Sequence, residues 1–262
     1  MKNKIAVFYS IAQVGNWWEN EFYTKQINRL ISSGLYDQIE FIDIMVGGGY
    51  KPLSSMPSKV RDVMYLQPRG LNVIKFHKHI WNFCHLNPDY KVLFFHSLGV
   101  SYENKPHVDN KLAYRDYLEF FSLDHWKECT ELLNHYDCVG NEYNEISVFY
   151  PQGFDLSFEE IDETENLEFK DKIKRFYSPH FRGGFWWANS NYIGQLDPNF
   201  LDQNVYYKNY LTELWVCSKP HKSYSFYDSC LNYYLNDLNF SFREDLISKA
   251  QNHINYLNKA FT

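Results

Sequence analysis

The stretch Pro179-His180-Phe181-Arg182-Gly183-Gly184-Phe185-Trp186-Trp187-Ala188 puts an imidazole and a guanidinium just before two glycines and two tryptophans. Those residue types suit a polar, hydroxyl-rich ligand. His180 and Arg182 can meet hydroxyl or phosphate oxygens, and Gly183 and Gly184 let main-chain amides come close. Trp186 and Trp187 offer apolar faces, each with an N–H donor suited to a hydroxyl. The competing reading is a buried strand whose rings fill core, with the glycines permitting a bulge. Alternation along a strand turns one of the two rings inward in either case. A second stretch, Lys91-Val92-Leu93-Phe94-Phe95-His96-Ser97-Leu98-Gly99, is an apolar run that stops at a histidine and a glycine-containing turn. A neutral imidazole there can donate to a phosphate oxygen, ligate a divalent ion, or simply hold the strand end.

Other residues bear on the same chemistry. Glu213, within Tyr210-Leu211-Thr212-Glu213-Leu214-Trp215, is the leading candidate for a base, with a solvated helical glutamate as the alternative. Asp116 is the second candidate, and Arg115 beside it is a candidate phosphate contact. Tyr9, Ser10 and Gln13 stand at the end of the first apolar run and read as base or ribose contacts. Asp43, inside the second run, needs a partner or a ligand if buried; a ribose contact and a structural hydrogen bond both fit. His221, after Ser218-Lys219-Pro220, is a candidate metal or phosphate ligand. Gly47-Gly48-Gly49 lacks the Gly-Lys-Ser/Thr ending of a phosphate-binding P-loop and reads as a connection. The acidic run Glu159–Glu165 has no ligand pattern and reads as a solvated face.

The elements that must position these residues follow from periodicity. Residues 5–10 and 41–46 read as buried strands, separated by a helix that Asn16 caps and Gly34 closes, which makes a βαβ unit with parallel pairing. Residues 50–68, with Pro52, Pro57 and Pro68, read as loop. A helix over 70–86, a strand over 91–95, a long helix over 110–135 and a short strand at 138–140 come next. Helices are expected at 189–196 and 204–217, and two more over 226–260. The economical reading is one α/β domain over 1–225 with a C-terminal helical extension over 226–262.

Composition narrows the class. A chain of 262 residues with 45% hydrophobic residues can bury a core without disulfide or metal support. The net charge of −6 argues against a general nucleic-acid binder, which presents a strongly basic domain. The five cysteines are odd in number and widely spaced, as expected of free thiols in a reducing, cytoplasmic setting. No apolar run approaches a membrane span. Aromatics at 19% accompany abundant Asn, Lys and Ile, the mark of an AT-rich genome, and some rings can also serve as platforms for sugars or bases.

An ordered set of segments resembles a glycosyltransferase-like family of bacterial and large-virus genomes. The set runs from Tyr9-Ser10-Ile11-Ala12-Gln13-Val14-Gly15-Asn16-Trp17 and Ser32-Ser33-Gly34-Leu35-Tyr36 to Phe94–Ser101. Tyr114-Arg115-Asp116-Tyr117, Trp126-Lys127-Glu128-Cys129 and Tyr136-Asp137-Cys138-Val139-Gly140 come after them, and Pro179–Ala188 is the strongest match. Together they cover about half the chain. The resemblance implies a GT-A-like fold, an open twisted mixed sheet flanked by helices. It also implies sugar transfer from a nucleotide-diphosphate donor to a glycan, lipid or protein hydroxyl, with inversion as a further step. On that view Tyr9, Ser10, Gln13, Asp43, His96 and Arg115 face the donor. His180, Arg182, Gly183, Gly184, Trp186 and Trp187 face the acceptor, and Glu213, or else Asp116, takes the acceptor proton. The chain departs from the pattern in having no Asp-x-Asp motif, and Leu98 stands where a lysine is expected. Use of Mn2+ or Mg2+ is therefore open, with His96 and His221 as the residues that would hold an ion. The missing motif favours the alternative, a non-catalytic carbohydrate- or nucleotide-binding module on the same fold.

Overall fold

Strand β1 (Lys4–Ala12) is buried along almost its whole length, because it lies inside a parallel sheet covered on both faces. The computed structural model describes residues 4–49, 51–66, 72–105, 108–149, 174–202, 208–226 and 248. Its remaining strands are β2 (Phe41–Gly47), β3 (Val60–Leu66), β4 (Tyr90–His96), β5 (Cys138–Gly140), β6 (Tyr143–Phe149), β7 (Lys174–Phe181), β8 (Trp186–Asn189) and β9 (Ser223–Ser225). The helices are α1 (Lys25–Ser32), α2 (Leu35–Gln38), α3 (Asn72–Leu86), α4 (Val108–Glu119), α5 (Trp126–Leu132), α6 (Ser190–Ile193) and α7 (Lys208–Trp215).

Seven strands form one open sheet in the order β3-β2-β1-β4-β8-β5-β9, and β6 and β7 pair separately. β1 pairs in parallel with β2 on one side and with β4 on the other, and Ser10 lies opposite His96. β8 runs antiparallel between β4 and β5. This is the mixed, helix-flanked α/β sheet expected from the sequence, consistent with a GT-A-like architecture. Alternate residues feed two cores. Val7, Tyr9, Ile44, Phe95 and Trp187 pack on one face with α1, α4 and α5. Ala6, Phe8, Val92, Phe94 and Trp186 pack on the other with α3, α6 and α7.

The structure departs from the sequence reading in several places. Asn16 caps no helix: the chain enters α1 through a π-helical turn, Trp18–Thr24, whose cap position is Trp17. Gly34 does close α1, in the left-handed conformation at φ 77°. The region read as loop over 50–68 contains β3, an edge strand. The helix expected over 110–135 is two helices, broken by the π-helical turn Phe120–Asp124. The acidic run at 159–165 lies outside the described residues. So does the expected C-terminal extension, apart from Phe226 and residue 248. Among the described residues no helix is long and apolar enough to cross a membrane.

Candidate functional site

The strand order reverses at β1 and β4: the chain leaves β1 toward β2 and β3, then returns through α3 to β4 on the other side. In open α/β sheets the crevice at the carboxyl ends of such strands is the ligand site. Here those ends are stitched together. Ala12 N–H donates to Ser97 Oγ at 3.0 Å, and Ser97 N–H donates to the Ser10 carbonyl at 3.0 Å. Gln13 projects beyond β1, and its amide bonds both the N–H and the carbonyl of Lys51. The turn Ser97-Leu98-Gly99 comes next, with Gly99 at φ 90° against the Cβ of Lys111. Lys111 is 3% exposed, and burial lowers its pKa to about 8, so it stays mostly cationic at neutral pH.

Beside this crevice, β7 passes into β8 through the bend Arg182-Gly183-Gly184, where both glycines have positive φ, 79° and 66°. His96 Nε2 lies 2.8 Å from the Gly183 carbonyl. A carbonyl only accepts, so Nε2 carries the proton. Burial lowers the imidazole pKa, which keeps it neutral, although the Gly183 bond works the other way. Glu213 reaches the same bend from α7. A methyl group placed on Gly184 would come 3.3 Å from His96 Nε2 and 3.7 Å from Glu213 Cγ. Burial raises the Glu213 pKa from 4.5 to about 7, opposed by the Arg182 charge and the Gly183 backbone amide. The bend thus brings together His96, Arg182, Gly183, Gly184 and Glu213, all singled out in the sequence.

A Cβ on Gly183 would lie 2.5 Å from Leu118 Cδ1 and 3.2 Å from the Tyr114 hydroxyl. Left-handed backbone alone costs a non-glycine residue about 1–2 kcal/mol. Gly183→Ala is therefore expected to lower stability by at least about 1 kcal/mol in urea unfolding. A change indistinguishable from zero would mean that the bend is not held as described.

The other candidates lie elsewhere. Asp43 is 0% exposed, and its carboxylate is bonded by Arg61 and by His79 Nε2, so it is engaged in a structural cluster under α3. Tyr9 is in the opposite core, where it donates to Gln26 Oε1 at 2.7 Å and stacks on Phe95. Ser10 is buried, with its carbonyl bonded to Ser97. Trp186 and Trp187 are 0% and 1% exposed and sit in the two separate cores. Neither can offer a face to a sugar, because β8 is an interior strand covered on both sides. His180 is buried opposite Asn144 in the β6–β7 pair.

Asp116 and Arg115 belong to an ionic network between α1 and α4. Arg29 lies 3.6 Å from Asp116 and 2.9 Å from Glu119, and Arg115 lies 3.2 Å from Glu119 and 3.8 Å from Asp116. Tyr114 and Leu118 face the glycine bend, so Asp116, midway between them, points to the other side of the helix. Gln26 links this network to the site, donating to Glu119 at 2.7 Å and to the His96 carbonyl at 3.1 Å.

Sequence reasoning missed one group. Asn141, directly after β5, is 1% exposed, and both side-chain amide atoms lack a hydrogen-bond partner among the described residues. Glu142 is next in the chain at φ 54°, a strained value for a non-glycine, and its carbonyl accepts from Arg182 N–H. Backbone strain and an orphaned polar group gather at functional sites. β5 ends at the same edge of the sheet as β4, so the strand-end rule applied to residues 138–140 would have pointed to Asn141.

A hard divalent cation such as Mg2+ or Mn2+ takes several oxygen ligands. Among the described residues, those nearest Gly184 offer one carboxylate, Glu213, and an imidazole whose Nε2 is bonded to Gly183. That donor set does not fit such an ion. His221 lies away from this bend: its Nδ1 bonds the Lys219 carbonyl at 2.7 Å.

No known family matches the chain, and no curated protein sequence is significantly similar to it. Among solved structures it is similar to 4-diphosphocytidyl-2C-methyl-D-erythritol synthase from Anaerococcus prevotii, with 10% identity. The match covers 95% of this chain and 97% of that one, at a TM-score of 0.40. A score of that size supports no functional step.

Proposed function

We propose that the chain is a nucleotide-sugar-dependent glycosyltransferase in which Glu213 is the catalytic base. The observation that carries the reading is the packing of the Glu213 side chain against a double-glycine bend by the carboxyl ends of β1 and β4, where burial raises its pKa to about 7. A base is most effective when its pKa lies near the working pH. The ordered family resemblance supplies the substrate class.

In this reading the donor diphosphate lies over the carboxyl ends of β1 and β4, by Gln13 and the Ser97–Gly99 turn. The acceptor hydroxyl sits by Gly184. Its proton passes to Glu213 as its oxygen attacks the anomeric carbon, and the bond from that carbon to the diphosphate breaks on the opposite face, so the centre inverts. The departing nucleoside diphosphate gains charge. Lys111 beside the turn supplies a cation that the Leu98 position lacks, and Arg182 adds a second. The amide of Asn141 can pair with one sugar hydroxyl.

The test is a thermal-shift screen with UDP-, GDP-, CMP- and dTDP-sugars, each with and without manganese. A ligand at about a hundredfold excess over its Kd stabilises by about 2.7 kcal/mol, a clear rise in Tm. The expected result is a rise with one nucleotide family, unchanged by manganese. No rise with any donor would remove the transferase reading. A strictly manganese-dependent rise would overturn the cation-free donor site.

A further inference from the structure

At the opposite end of the sheet from the glycine bend, Cys138, Cys217 and His221 converge, with one ligand-type atom from each lying within 4.8 Å of the others. Cys138 opens β5, Cys217 ends the turn after α7, and His221 precedes β9. Among the described residues no other group of three His, Cys, Asp or Glu side chains comes together in this way. We propose that these three residues bind a thiophilic divalent cation of the zinc class, independently of the sugar-transfer reading.

Four observations support it. Two sulfurs and an imidazole form a soft donor set, which selects zinc-like ions over magnesium or manganese. A tetrahedral ion with Zn–S bonds of about 2.3 Å holds its ligand atoms roughly 3.7 Å apart. The observed spread thus closes with small side-chain rotations. The histidine is also pre-set. Its Nδ1 donates to the Lys219 carbonyl at 2.7 Å, which leaves the lone pair on Nε2, as in histidines that bind metal through one nitrogen and a carbonyl through the other. Finally, solvent comes near the site: a polar cavity of about 410 Å³ at this end of the sheet is lined in part by Asp137, Tyr192 and Pro220, which adjoin the three residues, although none of the three lines it. A water is the fourth ligand the proposal requires. The Tyr143 hydroxyl, 3.4 Å from His221 Nε2, is close enough to bond such a water.

An ion here would tie β5, the end of α7 and the start of β9 together. Cys217 lies four residues beyond Glu213, so the metal would also fix the helix that carries that carboxylate. Its role is structural.

Cobalt(II) titration of the full-length, reduced protein tests the site. The expected result is one equivalent bound with a thiolate-to-cobalt charge-transfer band and strong tetrahedral visible bands, all displaced by zinc. Cys217→Ser should abolish the charge-transfer pattern of two thiolates. His221→Ala, at a partly exposed position outside the two cores, should weaken binding at least about tenfold. Cys129→Ser, in the other core, should bind as the wild type does. No charge-transfer band at one equivalent, or equal affinity in wild type and His221→Ala, would overturn the proposal.

Discussion

Glu213→Gln is expected to lower donor turnover by at least about a hundredfold while leaving the donor-induced rise in Tm intact. The substitution keeps the shape of the side chain against Gly184 and removes only the ability to accept a proton. The two readouts separate the roles. Loss of turnover with donor binding retained marks a base, and loss of both marks a residue that shapes the crevice. Unchanged turnover would remove Glu213 from the mechanism. The same substitution carries a stability signature. Burial raises the Glu213 pKa from 4.5 to about 7, so between those values the folded state holds a proton that the unfolded chain has released. Stability from this group is thus full below about pH 4.5 and is lost as pH rises through 7. Urea unfolding at pH 5 and pH 8 should show a smaller difference in Glu213→Gln than in wild type. An equal difference would mean that the carboxyl is not held protonated by its surroundings.

Trp187→Ala should destabilise the fold by about 3–5 kcal/mol, as for large-to-small changes of buried aromatics. Trp187 is 1% exposed on an interior strand, and its Nε1 donates to the Ser122 carbonyl at 2.9 Å. Removing it opens a cavity under the π-helical turn between α4 and α5 and leaves that carbonyl without its donor. Total stabilities of about 5–15 kcal/mol make this a large share, so a steep fall in the urea midpoint is expected. Trp187→Phe, which keeps most of the ring volume, should cost less than half as much. A loss under about 1 kcal/mol, accompanied by weaker sugar binding, would restore the stacking-platform role to this residue.

The contrast between Trp187 and Glu213 shows what the chain discloses unaided. The strand end at His96 was legible because an apolar run that stops at a polar turn marks the end of a buried strand, and the double glycine at 183–184 because paired glycines before an apolar run mark a bend. The α7 segment was equally legible as a helix, and the structure brings Glu213 from it to the glycine bend. Whether Trp186 and Trp187 face a ligand or a core was not legible. That depends on β8 lying between β4 and β5 with helices on both sides, a property of strand order rather than of local pattern. Tyr9 and Asp43 misled for the same reason: both lie on strands buried on two faces, so every side chain meets core whichever way it points. β3 escaped notice because it is an edge strand whose exposed and half-buried residues follow no clean alternation, and it lies between prolines, which together read as loop. Asn141 escaped because nothing local shows that β5 ends at the same edge of the sheet as β4; that follows from β8 running antiparallel between them.

The central claim, that Glu213 is the base of a sugar transfer at the Gly183–Gly184 bend, is tested most directly by the pH dependence of donor turnover, measured as nucleoside diphosphate release. The expected profile has a rising limb with an apparent pKa near 7 in wild type, and that limb is lost in Glu213→Gln. A flat profile in the wild type, or the same limb in the variant, would contradict it.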